Sequence, residues 1–242
     1  MSERKYAPPD QVPVTERKQM PARDKKALPW LLAGAVLCCV AMTLVDGVLR
    51  PAYWLKSLIK LALFLGVPFA LARGFGLRFG ELFRFKRRDV LTALALGAAL
   101  YALILGGYFV VRRWVDFSGI ADSLSQNAGV TRENFLFVSL YISFINSLLE
   151  EFFFRGFVFS NLKTLTNRGF AHGFSALAFS AYHVAMMAGW FSPALFALVL
   201  AGLAAGGVIF NLLNEKNGSI CTSWLVHMFA NFAINTIGFL LL

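Results

Sequence analysis

Apolar residues along the chain fall into long runs that are separated by short polar stretches. A helix needs about 20 mostly apolar residues to cross the hydrocarbon core of a bilayer. Seven runs approach this length, and they cover residues 28–49, 53–72, 90–111, 135–162, 170–189, 193–213 and 219–242. The pattern predicts an all-α fold, a polytopic transmembrane helix bundle with about seven spans. An eighth span within 112–134 is the alternative, which the charges of that stretch disfavour.

Composition and charge support a membrane protein. Hydrophobic residues make up 58% of the chain and charged residues only 15%, whereas soluble domains carry about 25% charged residues. The net charge of +10 is typical of basic cytoplasmic loops in a chain this apolar, rather than of a nucleic-acid surface. We therefore expect an integral membrane protein, in the cell (inner) membrane if the host is bacterial, with lipid as a partner and no nucleic acid.

Three regions follow one another along the chain. Residues 1–26 are predicted to be a basic, proline-containing cytoplasmic tail, and residues 27–134 to be N-terminal membrane helices with a basic amphipathic loop at 73–89. A cytoplasmic N-terminus puts 17 of the 23 Lys and Arg residues on the cytoplasmic side, as the positive-inside rule requires. Lys56 and Lys60 fall on the outer side, where we expect their ammonium groups to snorkel to the interface. The third region is residues 135–242.

Ionisable residues at membrane depth are costly, and each is a candidate functional residue. Glu150, Glu151 and Arg155 interrupt the fourth apolar run. Glu151 and Arg155 are four residues apart and share a helix face, so they are predicted to form an ion pair. Glu150 lies about 100° away around the helix and has no cation nearby in the sequence. It is suited to act as a general base, and a purely structural ion network is the alternative.

Two further pairs lie on later helices, Phe179 with His183 and His227 with Asn231. Within each pair the spacing of four places both side chains on one helix face. Taken singly, each pair has a packing or hydrogen-bonding explanation. Helix arithmetic puts His183 and Glu150 roughly 20 Å from the cytoplasmic ends of their helices, and His227 roughly 12 Å. The three helices are therefore predicted to converge on one cavity.

The ordered set Glu-Glu-x-x-x-Arg, Phe-x-x-x-His and His-x-x-x-Asn resembles the CPBP family of CAAX proteases and bacteriocin-processing proteins, also called Abi. The family includes the type II CAAX prenyl endopeptidases. The resemblance covers about residues 135–235, so 135–242 is interpreted as a CPBP-like catalytic core. It implies four catalytic residues, Glu150, His183, His227 and Asn231, and three supporting residues, Glu151, Arg155 and Phe179. Glu150 and His183 would activate water, and His227 with Asn231 would bind the oxyanion.

Whether a metal takes part stays open at this point. His183, His227 and Glu150 could be zinc ligands if zinc is present, since two histidines, a glutamate and water form a known catalytic set. The chain has no His-Glu-x-x-His motif, and Glu151 would then have to replace Glu150 as the base. The family is commonly labelled metalloprotease, but a metal-free glutamate mechanism has been argued for its prenyl-protease members.

The sequence thus predicts an intramembrane endopeptidase whose cavity opens to the cytoplasm and whose substrate is a protein or peptide, prenylated or not. A non-catalytic membrane scaffold or bacteriocin immunity protein of the same family is the alternative. A proton-coupled transporter is a third hypothesis, which the lack of repeated, broken helices disfavours.

Overall fold

The computed structural model describes residues 26–80, 82–117 and 130–241. The predicted tail, apart from Lys26, and the middle of the polar stretch 112–134 lie outside these residues. Within them the chain forms helices and no strand, which confirms the all-α prediction. The helices are α1 (Leu28–Leu49), α2 (Tyr53–Phe75), α3 (Arg87–Val111), α4 (Phe135–Leu165), α5 (Arg168–Tyr182), α6 (Pro193–Asn217) and α7 (Cys221–Leu241).

Among the described residues, six helices are long and apolar enough to cross a membrane, one fewer than predicted. The exception is α5, whose 15 residues span about 22 Å, less than the ~30 Å of a hydrocarbon core. The predicted span 170–189 ends early because the chain turns at His183 and remains in turns until Ser192. The cytoplasmic location of the N-terminus stays a prediction.

The basic loop between α2 and α3 is irregular and packs on the bundle. Gly76 ends α2 with a φ of 71°, a left-handed conformation that glycine adopts without strain. The side-chain amide of Asn161 on α4 then binds the backbone of Arg78 twice. The Arg78 N–H donates to Oδ1 of Asn161 at 3.1 Å, and Nδ2 of Asn161 donates to the Arg78 carbonyl at 2.7 Å. The described loop residues contain no amphipathic helix, because their backbone groups pair with α4 and the start of α7 instead.

Helix α4 is the centre of the bundle, and its segment Phe152–Phe159 is buried throughout. Phe153 stacks on Phe64 of α2, with 4.2 Å between ring centroids. Phe154 meets Phe179 of α5 edge-on at 5.4 Å. Large aromatic rings dominate the energetics of such cores, so they fix the depth at which α4 carries its charged residues.

Close approach of α5 and α6 depends on one glycine. A Cβ atom added to Gly207 would lie 2.9 Å from the Cα atom of Ala176 on α5. Gly202 and Gly206, the other glycines of the same small-residue stripe, have no neighbouring atom within 4 Å of such a Cβ position. Gly207 therefore lies at a close helix contact, whereas Gly202 and Gly206 do not.

We expect Gly207→Ala to lower the free energy of unfolding by about 1–3 kcal/mol, the usual cost of overpacking, because the backbone of Ala176 must move. Gly206→Ala is the matched control, and it should raise stability by up to about 1 kcal/mol, because alanine favours a helix more than glycine does. Thermal unfolding of both purified variants in detergent measures the difference. Equal unfolding temperatures for the two variants would contradict the close crossing.

Candidate active site

The two adjacent glutamates lie on α4 between two π-helical stretches. These stretches are Ile142–Asn146 and Phe152–Phe159. Glu150 is 2% exposed and Glu151 is fully buried. Departures from α-helical hydrogen bonding within a helix often coincide with functional sites, and here they flank both carboxylates.

Glu151 belongs to a buried charge cluster with one cation and one imidazole. Its Oε1 atom lies 3.1 Å from Nη1 of Arg155, the predicted i,i+4 partner. The same oxygen lies 3.1 Å from Nδ1 of His227 on α7. Arg155 is fully buried and also donates from Nη2 to the carbonyl of Gly207 at 3.3 Å. Helices α4, α6 and α7 are thereby joined through one ion pair.

Phe179 connects this cluster to the second histidine. The Arg155 guanidinium lies 4.3 Å from the centre of the Phe179 ring, a cation–π distance. The imidazole of His183 meets the same ring at 4.8 Å and that of His227 meets it at 5.8 Å, both between ring centroids. Phe179, predicted as a supporting residue, thus contacts three of the other candidate residues.

Glu150 presents its two oxygens to different surroundings. Oε1 lies 2.5 Å from the ammonium of Lys60 on α2, and it accepts at 2.9 Å from the Asn146 amide. The Tyr182 hydroxyl is a third, longer donor to Oε1 at 3.4 Å. The histidines face the other oxygen: Oε2 is 4.0 Å from Nε2 of His183 and 3.7 Å from Nε2 of His227. These last distances exceed a direct hydrogen bond.

Hydrogen bonds at the far side of each imidazole define its tautomer. Nδ1 of His183 lies 2.7 Å from the backbone carbonyl of Phe179, which can only accept, so Nδ1 carries the hydrogen. Nδ1 of His227 donates in the same way to the Glu151 carboxylate. A neutral imidazole carries one hydrogen. Both rings therefore present an Nε2 lone pair toward Glu150 when they are neutral.

Asn231 lies one turn beyond His227 on α7 and contacts the backbone of α4. Its Nδ2 atom donates to the carbonyl of Ile142 at 3.2 Å. Asn235, a further turn along, donates to the Ser139 carbonyl at 3.1 Å. The structure thus brings Glu150, His183 and His227 together, while Asn231 stands at the edge of this group. Its role at an oxyanion stays a prediction.

Lys60 is the contact that sequence reasoning missed. We expected its ammonium to snorkel to the outer interface, but the side chain is 3% exposed and bonds Glu150 at a separation of 90 residues. Glu150 has no cation close to it along the sequence, but it has one in direct contact in the structure. The cost of a charge at membrane depth applies equally to a lysine eight residues into an apolar run, and that signal could have marked Lys60.

Comparison with known proteins assigns the C-terminal part of this arrangement. Residues 132–233 match the family model described as Type II CAAX prenyl endopeptidase Rce1-like. This region is similar to that family, over less than half of the chain. The match confirms the resemblance predicted from the motifs. Together with the six apolar helices, it indicates an integral membrane protein with a region similar to a protease family. No curated protein and no solved structure matched the chain.

The conditional zinc ligands Glu150, His183 and His227 all lie in the matched region. Within the described ranges, no group of three or more His, Cys, Asp or Glu side chains is arranged to hold a metal ion. The Nε2 lone pairs of His183 and His227 would suit a metal, but Glu150 already has the Lys60 ammonium on Oε1. Two imidazole nitrogens and one carboxylate oxygen, Oε2, are left to face one another, and the binding of zinc by these residues stays a prediction.

The buried ion pair between Glu151 and Arg155 should be sensitive to loss of one partner. We expect Arg155→Leu to destabilise the protein by about 3–5 kcal/mol, because it leaves Glu151 charged, buried and without its cation. Lys163→Gln, which breaks a partly exposed 3.5 Å pair with Glu215, should cost about 0–1 kcal/mol. Thermal unfolding in detergent compares the two, and similar losses would contradict the assigned burial of the Arg155 pair.

Proposed function

We propose that the chain is an intramembrane endopeptidase that hydrolyses a peptide bond with a water molecule activated by Glu150. The observation that carries the proposal is that the two oxygens of the Glu150 carboxylate have different partners. Oε1 has three donors, while Oε2 faces the Nε2 atoms of both histidines at 3.7 and 4.0 Å. A water molecule bound at Oε2 is within reach of both rings, and it is the nucleophile.

The chemistry proceeds by proton transfer between these groups. Oε2 of Glu150 takes a proton from the water as its oxygen attacks the carbonyl carbon of the scissile bond. His183 orients the water through its Nε2 lone pair. As the tetrahedral intermediate breaks down, the proton on Glu150 passes to the leaving amine and the carbon–nitrogen bond is cleaved. The products are a carboxylic acid and an amine, and the Glu150 carboxylate is restored.

Stabilisation of the oxyanion is assigned to His227 and Asn231. Because Nδ1 of His227 donates to Glu151, this ring can donate to an oxyanion from Nε2 only as the imidazolium. An amide carries two N–H groups, so the bond from Asn231 to Ile142 leaves a second one for the oxyanion. One well-placed donor contributes about 3–4 kcal/mol in other proteases.

The substrate class follows from the family match. A type II CAAX prenyl endopeptidase family supports a protein or peptide substrate with a prenylated C-terminal CAAX sequence. Such a lipid-modified segment would enter from the membrane. We propose that the cavity opens toward the cytoplasm, the side on which the positive-inside rule would place the basic loop between α2 and α3. No separate observation favours a non-catalytic scaffold or an immunity protein.

We expect purified protein in liposomes to cleave an internally quenched, farnesylated CAAX peptide. Glu150→Gln and His183→Ala should each reduce kcat at least about 100-fold, which is the lower end of the rate enhancement that a general base usually provides. Glu215→Gln is the control, since this glutamate lies at the end of α6 and pairs with Arg168 at 2.9 Å. Its kcat should equal that of the wild type.

Full activity in both the Glu150 and the His183 variants would refute the assigned roles. Cleavage of the same peptide without its lipid would remove prenylation from the proposal and keep the endopeptidase. If the wild type cuts neither peptide, another substrate is sought by comparing the protein N-termini in cells that express the wild type with those in cells that express Glu150→Ala. Protection from a peptide toxin that persists in Glu150→Gln would favour the immunity protein instead.

A metal-free mechanism predicts that activity survives removal of metal. We expect purified active protein to contain far less than one zinc per chain by elemental analysis, and kcat to be unchanged after treatment with a chelator. Stoichiometric zinc that is lost in His227→Ala, together with activity that needs zinc to be added back, would contradict the metal-free mechanism and restore the zinc alternative.

A further inference from the structure

We infer that Lys60 is a positioning residue for the proposed reaction, so that a helix outside the Rce1-like match forms part of the active site. The inference rests on the proposed function, because it concerns the base of that reaction. Lys60 lies on α2, whereas the family match begins at residue 132. Its ammonium nevertheless contacts Glu150 directly, at 2.5 Å from Oε1.

Contacts on every side hold the Lys60 ammonium in place. It bonds Oε1 of Glu150 and Oδ1 of Asn146. It also lies 4.8 Å from the centre of the Tyr182 ring and 5.4 Å from that of Phe64. An ammonium has three N–H donors, and two oxygens and an aromatic face supply partners for all three. With 3% of its side chain exposed, Lys60 is fixed as firmly as a core residue.

This contact determines which oxygen of Glu150 can act as the base. Lys60, Asn146 and Tyr182 all donate to Oε1, and these donors stabilise negative charge on that atom and block the approach of water. Oε2 is left to take a proton, and it is the oxygen that faces both histidines. Without Lys60 only the neutral donors of Asn146 and Tyr182 hold Oε1, so the carboxylate rotates more readily about its terminal bond and exchanges the two oxygens.

Lys60 also balances the charge of the buried site. The described cluster contains two carboxylates, Glu150 and Glu151, and two cations, Lys60 and Arg155. Its formal charge is therefore zero while both imidazoles are neutral. Loss of one partner from a buried pair leaves an uncompensated charge, which is strongly destabilising. The base can stay ionised at membrane depth because a cation from α2 accompanies it.

Lys56 supplies a matched control from the same helix face. It lies one turn before Lys60 and pairs with Asp46 of α1 instead of Glu150. Its side chain is 21% exposed. A change at Lys56 therefore removes a cation from α2 without removing a contact to the proposed base.

The test compares kcat and KM for the farnesylated CAAX peptide in three variants. We expect Lys60→Met to lower kcat about 100-fold, as misplacement of a catalytic group does, with KM unchanged because Lys60 does not contact the peptide. Lys60→Arg keeps a cation with several donors and should recover part of the lost kcat. Lys56→Met should match the wild type in kcat, although it leaves the carboxylate of Asp46, which is 2% exposed, without its cation. A folded Lys60→Met protein with wild-type kcat would overturn the inference, as would equal losses in the two methionine variants.

Thermal unfolding gives a second readout that needs no proteolysis. If Lys60→Met alone unfolds at a lower temperature, the double variant Lys60→Met with Glu150→Gln should regain most of the loss, since it removes both charges of the pair. A double variant as unstable as Lys60→Met would overturn the pairing. If the wild type cuts neither the test peptides nor any cellular protein but shows this coupling, the proposed function is contradicted and the pairing of Lys60 with Glu150 is kept.

Discussion

Two neighbouring carboxylates in the middle of an apolar helix impose the main constraint on this structure. Glu150 and Glu151 project in directions about 100° apart on α4, so one cation cannot serve both at membrane depth. Glu151 takes Arg155 from its own helix, and Glu150 takes Lys60 from α2. Each pairing brings other elements with it. Arg155 contacts α6, and its partner Glu151 contacts α7. Lys60 joins α2 to α4, so the helices pack around the two carboxylates.

His227 couples the two halves of this charge cluster. Its Nδ1 atom donates to Glu151, and its Nε2 atom faces Glu150 at 3.7 Å. The carboxylate of the first pair therefore sets the tautomer and orientation of a ring that serves the second, as buried carboxylates commonly do for functional histidines. Stacking of this imidazole on Phe210, at 5.1 Å between centroids, restricts it further. The Glu151–Arg155 ion pair on α4 thus helps to orient a histidine toward Glu150, the neighbouring residue.

Local spacing made part of the site predictable, and contacts between distant segments made the rest unpredictable. The Glu151–Arg155 pair follows from a spacing of four on one helix, and depth arithmetic on three helices brought His183 and His227 to Glu150. Lys60 could not be paired in this way, because 90 residues separate it from Glu150 and no periodicity relates α2 to α4. The membrane helices followed from apolar runs, while the early end of α5 depends on turns that hydrophobicity does not encode.

The early end of α5 has a chemical consequence at His183. In a continuing α-helix, the amide N–H of His183 would bond the carbonyl of Phe179, four residues earlier. Here that N–H bonds Ser180 instead, at 3.0 Å, and the Phe179 carbonyl is free to accept the Nδ1 hydrogen of the His183 ring at 2.7 Å. The last carbonyls of a helix lack partners within it and are satisfied by other groups. A span of full length would have used this carbonyl in its own backbone. The short helix therefore provides the hydrogen bond that turns the His183 Nε2 lone pair toward Glu150.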